Sequence, residues 1–152
     1  MNEIIWTCKH FKDLTNEELY EIFRLRVSVF VVEQNCPYQD ADGKDLKAFH
    51  VTGKQNEELI AYARIVFPNV SYKEVSIGRV ITSKEARRTG AGKILMEKSM
   101  KFIKKEFGKV PVRIGAQLYL QKFYEGFGFV REGSEYLEDG IPHIIMLAPI
   151  IK

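Results

Sequence analysis

Apolar and polar residues mix over residues 3–9 as they do in a half-buried first strand. Thr15-Asn16-Glu17-Glu18 follows, with Thr15 placed as an N-cap and Glu18 three residues on. That is the capping-box spacing, so a helix starts here. It carries Leu19, Ile22, Phe23, Arg26 and Phe30 along one face, where Arg26 is out of place. Turn formers at Asn35-Cys36-Pro37 and Asp42-Gly43 predict a loop. Residues 47–54 and 58–67 read as two strands joined by the polar turn Gln55-Asn56-Glu57. The second is nearly all apolar from Leu59 to Val66, the mark of a central strand. Another strand spans 75–82, and a helix spans Gly90 to Phe107 with Gly108 as its C′ residue. A strand over 110–115, a short helix over 118–126, and strands near 129–135 and 143–149 complete the chain, the last two joined at Glu138-Asp139-Gly140. The order β α β β β α β α β β predicts a mixed sheet with helices, an α+β to α/β fold.

At 152 residues the chain fits one domain, 1–152, with no internal repeat or linker. With 45% hydrophobic and 28% charged residues and a mean hydropathy of −0.19, it reads as soluble and globular. No apolar run approaches the ~20 residues that cross a bilayer. The opening Met1-Asn2-Glu3-Ile4-Ile5-Trp6 lacks the basic and apolar regions of a secretory signal. Cys8 and Cys36 form neither a metal-ligand pattern nor a disulfide framework, so the expected compartment is the reducing cytoplasm and no metal is implied. Net charge is +3, too small to argue for nucleic acid. Its distribution is uneven. Residues 33–45 are acidic (Glu33, Asp40, Asp42, Asp45) and residues 84–109 are basic, which fits two ligands or two solvated faces.

Arg87-Arg88-Thr89-Gly90-Ala91-Gly92 between a strand and the long helix is the sharpest local signal. Gly90 and Gly92 permit close backbone approach, and the N–H groups of a helix N-terminus favour an anion. Arg87, Arg88 and Lys93 add positive charge, which fits a phosphate or pyrophosphate site. A Walker A loop fails because Gly92-Lys93 is followed by Ile94, and a Rossmann fingerprint fails because position 95 is Leu. Glycine spacing alone equally fits an ordinary turn with solvated arginines.

Strand, Arg-x-x-Gly-x-Gly and amphipathic helix together resemble the acetyl-CoA loop of the GNAT superfamily of N-acyltransferases. The segment Gln117-Leu118-Tyr119-Leu120-Gln121-Lys122-Phe123-Tyr124-Glu125-Gly126-Phe127-Gly128-Phe129 resembles a second motif of that family, in the right order and distance. Arg26 to Asp40, Ala61-Tyr62-Ala63-Arg64 and Gly140-Ile141-Pro142-His143 look like the ElaA group within it. The resemblance covers nearly the whole chain. It implies the acyl-CoA N-acyltransferase fold, with a central sheet of about six to seven strands flanked by helices, and acetyl-CoA as acyl donor. The loop residues Arg87, Arg88, Thr89, Gly90, Ala91, Gly92 and Lys93 are then expected at the pyrophosphate, with Val80, Ile81 and Thr82 along the pantetheine arm and Gln117 nearby. A backbone N–H near Ile81 is expected to stabilise the oxyanion of the addition step.

Tyr124 matches the tyrosine that many relatives use to protonate the leaving thiolate, although Phe123, Phe127 and Phe129 also suit a packed aromatic. Many relatives carry a glutamate base where this chain has Gly78, so the base is expected elsewhere. His143 and His50 are the candidates, ranked above Glu33; a histidine in a strand also suits a structural role. Arg26 calls for a partner, and Glu33, Asp42 or Asp45 supply it. Arg64 and Arg79 are expected to be paired or to line the cleft. Cys36 reads as an ordinary loop cysteine. The expected partner is a small-molecule or peptide amine, with no nucleic acid and no membrane, and the chain acts as a monomer or homodimer. The rival reading is a non-catalytic acyl-CoA-binding or sensing domain.

Overall fold

The computed structural model describes residues 3–150. Seven strands form one sheet: β1 (Ile5–His10), β2 (Ala48–Gln55), β3 (Glu58–Val66), β4 (Val75–Thr82), β5 (Val112–Gln117), β6 (Val130–Glu138) and β7 (Ile141–Ala148). Their order is β1-β2-β3-β4-β5-β7-β6. Every pairing is antiparallel except β4 with β5. The helices are α1 (Asn16–Arg26), α2 (Ala91–Phe107) and α3 (Gln121–Glu125). The expected α+β fold and element order are both present. β5 begins later than expected because Pro111 offers no N–H to a ladder.

The capping box forms as its spacing predicts. Glu18 N donates to Thr15 Oγ1 at 3.1 Å and Thr15 N donates to Glu18 Oε1 at 2.8 Å. The helix does not continue to Phe30, however. It ends at Arg26 and widens into a π-helical segment over Val27–Glu33. Val27, Val29, Val31 and Val32 are β-branched and resist tight α-turns. The widening turns Val29 into the core and leaves Phe30 half-buried.

α2 covers one sheet face with Leu95, Met96 and Ile103, while Lys98, Lys101, Lys104 and Lys105 face solvent, as a solvated helix face should. The opposite face carries a smaller core in which Ile22 and Val29 pack with Leu59, Tyr62 and Ile81. Two departures from regular sheet geometry place the site. First, β3 pairs Tyr62 with Ile81 and Arg64 with Gly78, so Arg79 and Val80 together oppose Ala63. This is a β-bulge, and Arg79 has a φ of 52°. Second, β4 and β5 pair only at Val75 with Val112 and Ser76 with Arg113. Beyond that point the two strands diverge.

Candidate active site

The divergence opens a cleft of about 880 Å³. Its walls include Gly78, Val80, Ile81 and Thr82 of β4 and Gly115, Ala116 and Gln117 of β5, with Tyr124 from α3. Ser83 N donates to Ile60 O at 2.8 Å, on the β3 side. Successive amides of a strand point in opposite directions, so the Thr82 N–H faces the cleft and that of Ile81 faces β3. The Thr82 carbonyl on the same edge accepts from Arg87 Nη2 at 3.5 Å. The amide that faces the cleft near Ile81 is therefore that of a neighbour and not of Ile81 itself.

At one end of the cleft stands the N-terminus of α2. Its cap, Gly90, has φ 89° and supplies no side-chain acceptor. The first hydrogen bond of the helix runs from Ile94 N to Gly90 O, at 3.2 Å. The amides of Gly92 and Lys93 precede it and have no partner within the helix. A Cβ on Gly92 would meet Thr82 and Phe123 only at 3.9 and 4.0 Å, so the backbone lies open to a ligand. This end fits the pyrophosphate of an acyl-CoA: free amides, a helix dipole, and Arg87 on the cleft wall. Arg88 and Lys93 are exposed beside it. At two loop positions only the backbone is available to a ligand. Ala91 is 1% exposed and packs into the core, and Thr89 Oγ1 donates to Ala86 O, so only their backbones face the loop.

Tyr124 lines the cleft with its ring edge-on to Phe123 and Phe129 at 5.2 and 6.1 Å between centroids. Burial pushes its phenol well above the ordinary tyrosine range, so the hydroxyl stays protonated at neutral pH. Packed aromatic and cleft-lining residue are here the same side chain.

The two histidines separate. His50 is fully buried, and its Nδ1 lies 2.6 Å from Tyr62 Oη and its Nε2 3.0 Å from Asp45 O. Neither nitrogen reaches the cleft, and burial depresses its pKa. The expectation of a catalytic His50 is therefore corrected: it is a structural histidine holding β2 to the acidic loop. His143 instead lines the cleft from β7. Its Nδ1 lies 2.7 Å from the Ile141 carbonyl, which assigns the proton to Nδ1 and leaves Nε2 as the basic atom. Nε2 lies 3.4 Å from Glu138 Oε2. Gly78 leaves open space, since a Cβ there would meet nothing within 4 Å.

The acidic loop is consumed by arginines. Arg26, fully buried, donates through Nε to Asp40 at 2.9 Å and through Nη1 to Asp45 at 2.6 Å. Arg64 donates to Asp42 at 2.8 Å and to Asp45 at 3.0 Å. Arg79 donates to Asp40 Oδ1 at 2.9 Å. Three arginines and three aspartates thus neutralise one another and lock the loop to β3 and β4. Asp45 is a partner of Arg26 as expected. Asp42 and Glu33 are not, and Asp40 takes that place. Burial opposes the charge on Asp42, but the Arg64 hydrogen bonds and charge outweigh it and bring its pKa down to about 2. Cys36 is half-buried and its Sγ lies 3.5 Å from the Asp139 carbonyl, so the loop touches the β6–β7 turn across the cleft.

A splayed mixed sheet, a helix N-terminus with open amides and a protonated tyrosine in the cleft define an acyltransferase that draws on an acyl-CoA donor. The chain belongs to the Acetyltransferase (GNAT) domain family, which it matches over residues 12–148. It is 45% identical over 151 residues to the protein ElaA of Escherichia coli, covering 98% of this chain and 99% of ElaA. The crystal structure of that ElaA superposes with a TM-score of 0.90 at 45% identity, covering 95% of this chain and 99% of ElaA's. An acyl-CoA N-acyltransferase from Pseudomonas aeruginosa superposes with a TM-score of 0.91 at 44% identity, covering 95% and 99% of the two chains.

Proposed function

We propose that the protein transfers an acetyl group from acetyl-CoA to a primary amine by direct attack while both are bound. The observation that carries this reading is the cleft between β4 and β5, which is lined by Gly92 at the start of α2, by Tyr124 and by His143. Bound acetyl-CoA supplies a thioester carbonyl activated toward amines. The residues expected to hold it are the β4 edge at Val80, Ile81 and Thr82, the amides of Gly92 and Lys93, the Arg87 guanidinium, and Gln117. Arg88, Thr89, Gly90 and Ala91 shape that loop.

Attack requires a neutral amine. His143 Nε2 is the group in this chain placed to take the proton, with Nδ1 fixed on the Ile141 carbonyl. The imidazolium that forms finds Glu138 Oε2 close to the same nitrogen. Tyr124 keeps its proton until a thiolate needs one. Gly78 leaves room for the acceptor where a side chain would stand.

The test is release of free thiol from acetyl-CoA with alkylamines, amino acids, peptide N-termini and lysine peptides. Turnover with one amine class supports the reading. Tight coenzyme A binding with no thiol release from any class would leave a binding domain in its place.

A further inference from the structure

Two tyrosine hydroxyls converge over one glycine in the cleft. A Cβ on Gly115 of β5 would lie 2.9 Å from Tyr136 Oη and 3.1 Å from Tyr72 Oη. Tyr72 comes from the β3–β4 connection and Tyr136 from β6, so they arrive from opposite sides. Gly115 and Tyr72 line the cleft. Neither hydroxyl makes a hydrogen bond to a described residue or to the other. A phenol that is half-buried ordinarily finds a partner for its O–H.

Charges of both signs reach the pair, since Glu138 raises and Arg113 lowers the Tyr72 pKa, but the carboxylate is the one that acts on both phenols. Glu138 acts on both phenols, after burial the cause that raises the Tyr72 pKa and one of those that push Tyr136 up to about 12. The nearest cation on β5, Arg113, is held by Glu74 at 3.0 Å and Glu132 at 2.7 Å. A carboxylate entering here would meet Glu138 with no free cation on β5. An ammonium would meet two oxygen acceptors and a carboxylate. The attacking nitrogen must be neutral and gives its proton to His143 Nε2, so an ammonium held by the two phenols is a second nitrogen of the acceptor.

We propose that Tyr72, Tyr136 and Glu138 form a subsite for the non-reacting ammonium of the acceptor, which makes the acceptor an aliphatic di- or polyamine. This rests on the acyl-transfer reading and names the substrate class within it.

The experiment compares 1,4-diaminobutane, butylamine and 4-aminobutyrate as acceptors with saturating acetyl-CoA. The diamine should have a kcat/KM roughly tenfold or more above butylamine, the scale of one charge-assisted hydrogen-bonding site, and 4-aminobutyrate should be the poorest. Tyr72→Phe with Tyr136→Phe should erase the preference for the diamine and leave coenzyme A affinity unchanged. Calorimetric titration of 1,4-diaminobutane into the coenzyme A complex reads the subsite without turnover and should lose its heat in the double variant. Equal rates for the three amines, a preference for 4-aminobutyrate, a diamine preference that survives in the double variant, or no diamine binding to the complex would each overturn the proposal. Failure of the acyl-transfer reading looks different, since coenzyme A itself then fails to bind or no amine releases thiol.

Discussion

Glu33 Oε2 lies 2.8 Å from Arg87 Nη1, joining the end of the π-helical segment to the loop that leads into α2. Both residues line the cleft. A pyrophosphate drawn to Arg87 competes with a carboxylate already there. Both side chains are more than a third exposed, so the bridge itself is weak. Glu33→Gln should therefore tighten coenzyme A binding by only about two- to fivefold, and the gain should shrink with added salt. Arg87→Ala should weaken binding instead. Calorimetry at low and high salt checks both; a weaker affinity in Glu33→Gln would mean that Glu33 helps to hold the donor.

Tyr124→Phe keeps the ring that packs on Phe123 and Phe129 and removes only the hydroxyl. Loss of a general acid costs ~10²–10⁴-fold in rate. The drop should appear in kcat and kcat/KM alike, with coenzyme A affinity intact. Single-turnover kinetics isolate the chemical step. A wild-type rate there would reduce Tyr124 to a core aromatic.

The two histidines should respond in opposite ways. His143→Ala should flatten the rising limb of the pH–rate profile and lower the melting temperature less than His50→Ala, because its ring, though buried, reaches the cleft wall and makes one hydrogen bond rather than two. His50→Ala should leave the shape of the profile alone and lower stability by roughly 2–4 kcal/mol, from two lost hydrogen bonds and a cavity. The direction of the His50 shift also fixes a pH dependence. Its folded-state pKa lies below the unfolded value, so the unfolded chain binds the extra proton. That contribution to stability is complete above about pH 6.5 and is lost as pH falls below it. Urea midpoints between pH 7.5 and 5 should fall more steeply in wild type than in His50→Phe.

Arg26→Met should be strongly destabilising, by about 3–5 kcal/mol, because Asp40 and Asp45 remain buried without that partner. Replacing Arg26, Asp40 and Asp45 together by apolar residues should not restore stability, because Arg64 and Arg79 then lose Asp45 and Asp40 as partners. Denaturant unfolding of the single and triple variants measures the difference. Asp42 adds a second acid-sensitive element. Its pKa is depressed to about 2, so its contribution is present above the ordinary carboxylate range and disappears as pH falls toward 2.

Local signals read well from the residues. Thr15 and Glu18 announced the helix start, the apolar run of β3 announced a central strand, and Arg26 on an apolar face announced a buried partner. What was not legible depended on distance along the chain. The π-helical segment has no periodic signature of its own, since Val29 and Phe30 are both apolar and only the packing decides which turns inward. His50 and His143 look alike as strand histidines until the sheet order puts one beneath the acidic loop and pairs the other with Gln117 at the end of β5 that lines the cleft. Asp40 was missed as the partner of Arg26 because four acidic residues in one loop are equivalent on paper. Tyr72 and Tyr136 carried no signal, since only the order β5-β7-β6 folds Tyr136 back over Gly115.

The sheet is held together at its middle by the ladder at Val75–Val112 and Ser76–Arg113. Mechanically that makes two plates, β1–β4 and β5–β7, joined by a short seam. An extended donor arm bonded to the free edge of β4 would stand in for the missing rungs. Substrate then acts as a splint: the amides of β4 along the cleft gain protection from hydrogen exchange, and the two plates melt together at a higher temperature with donor than without it.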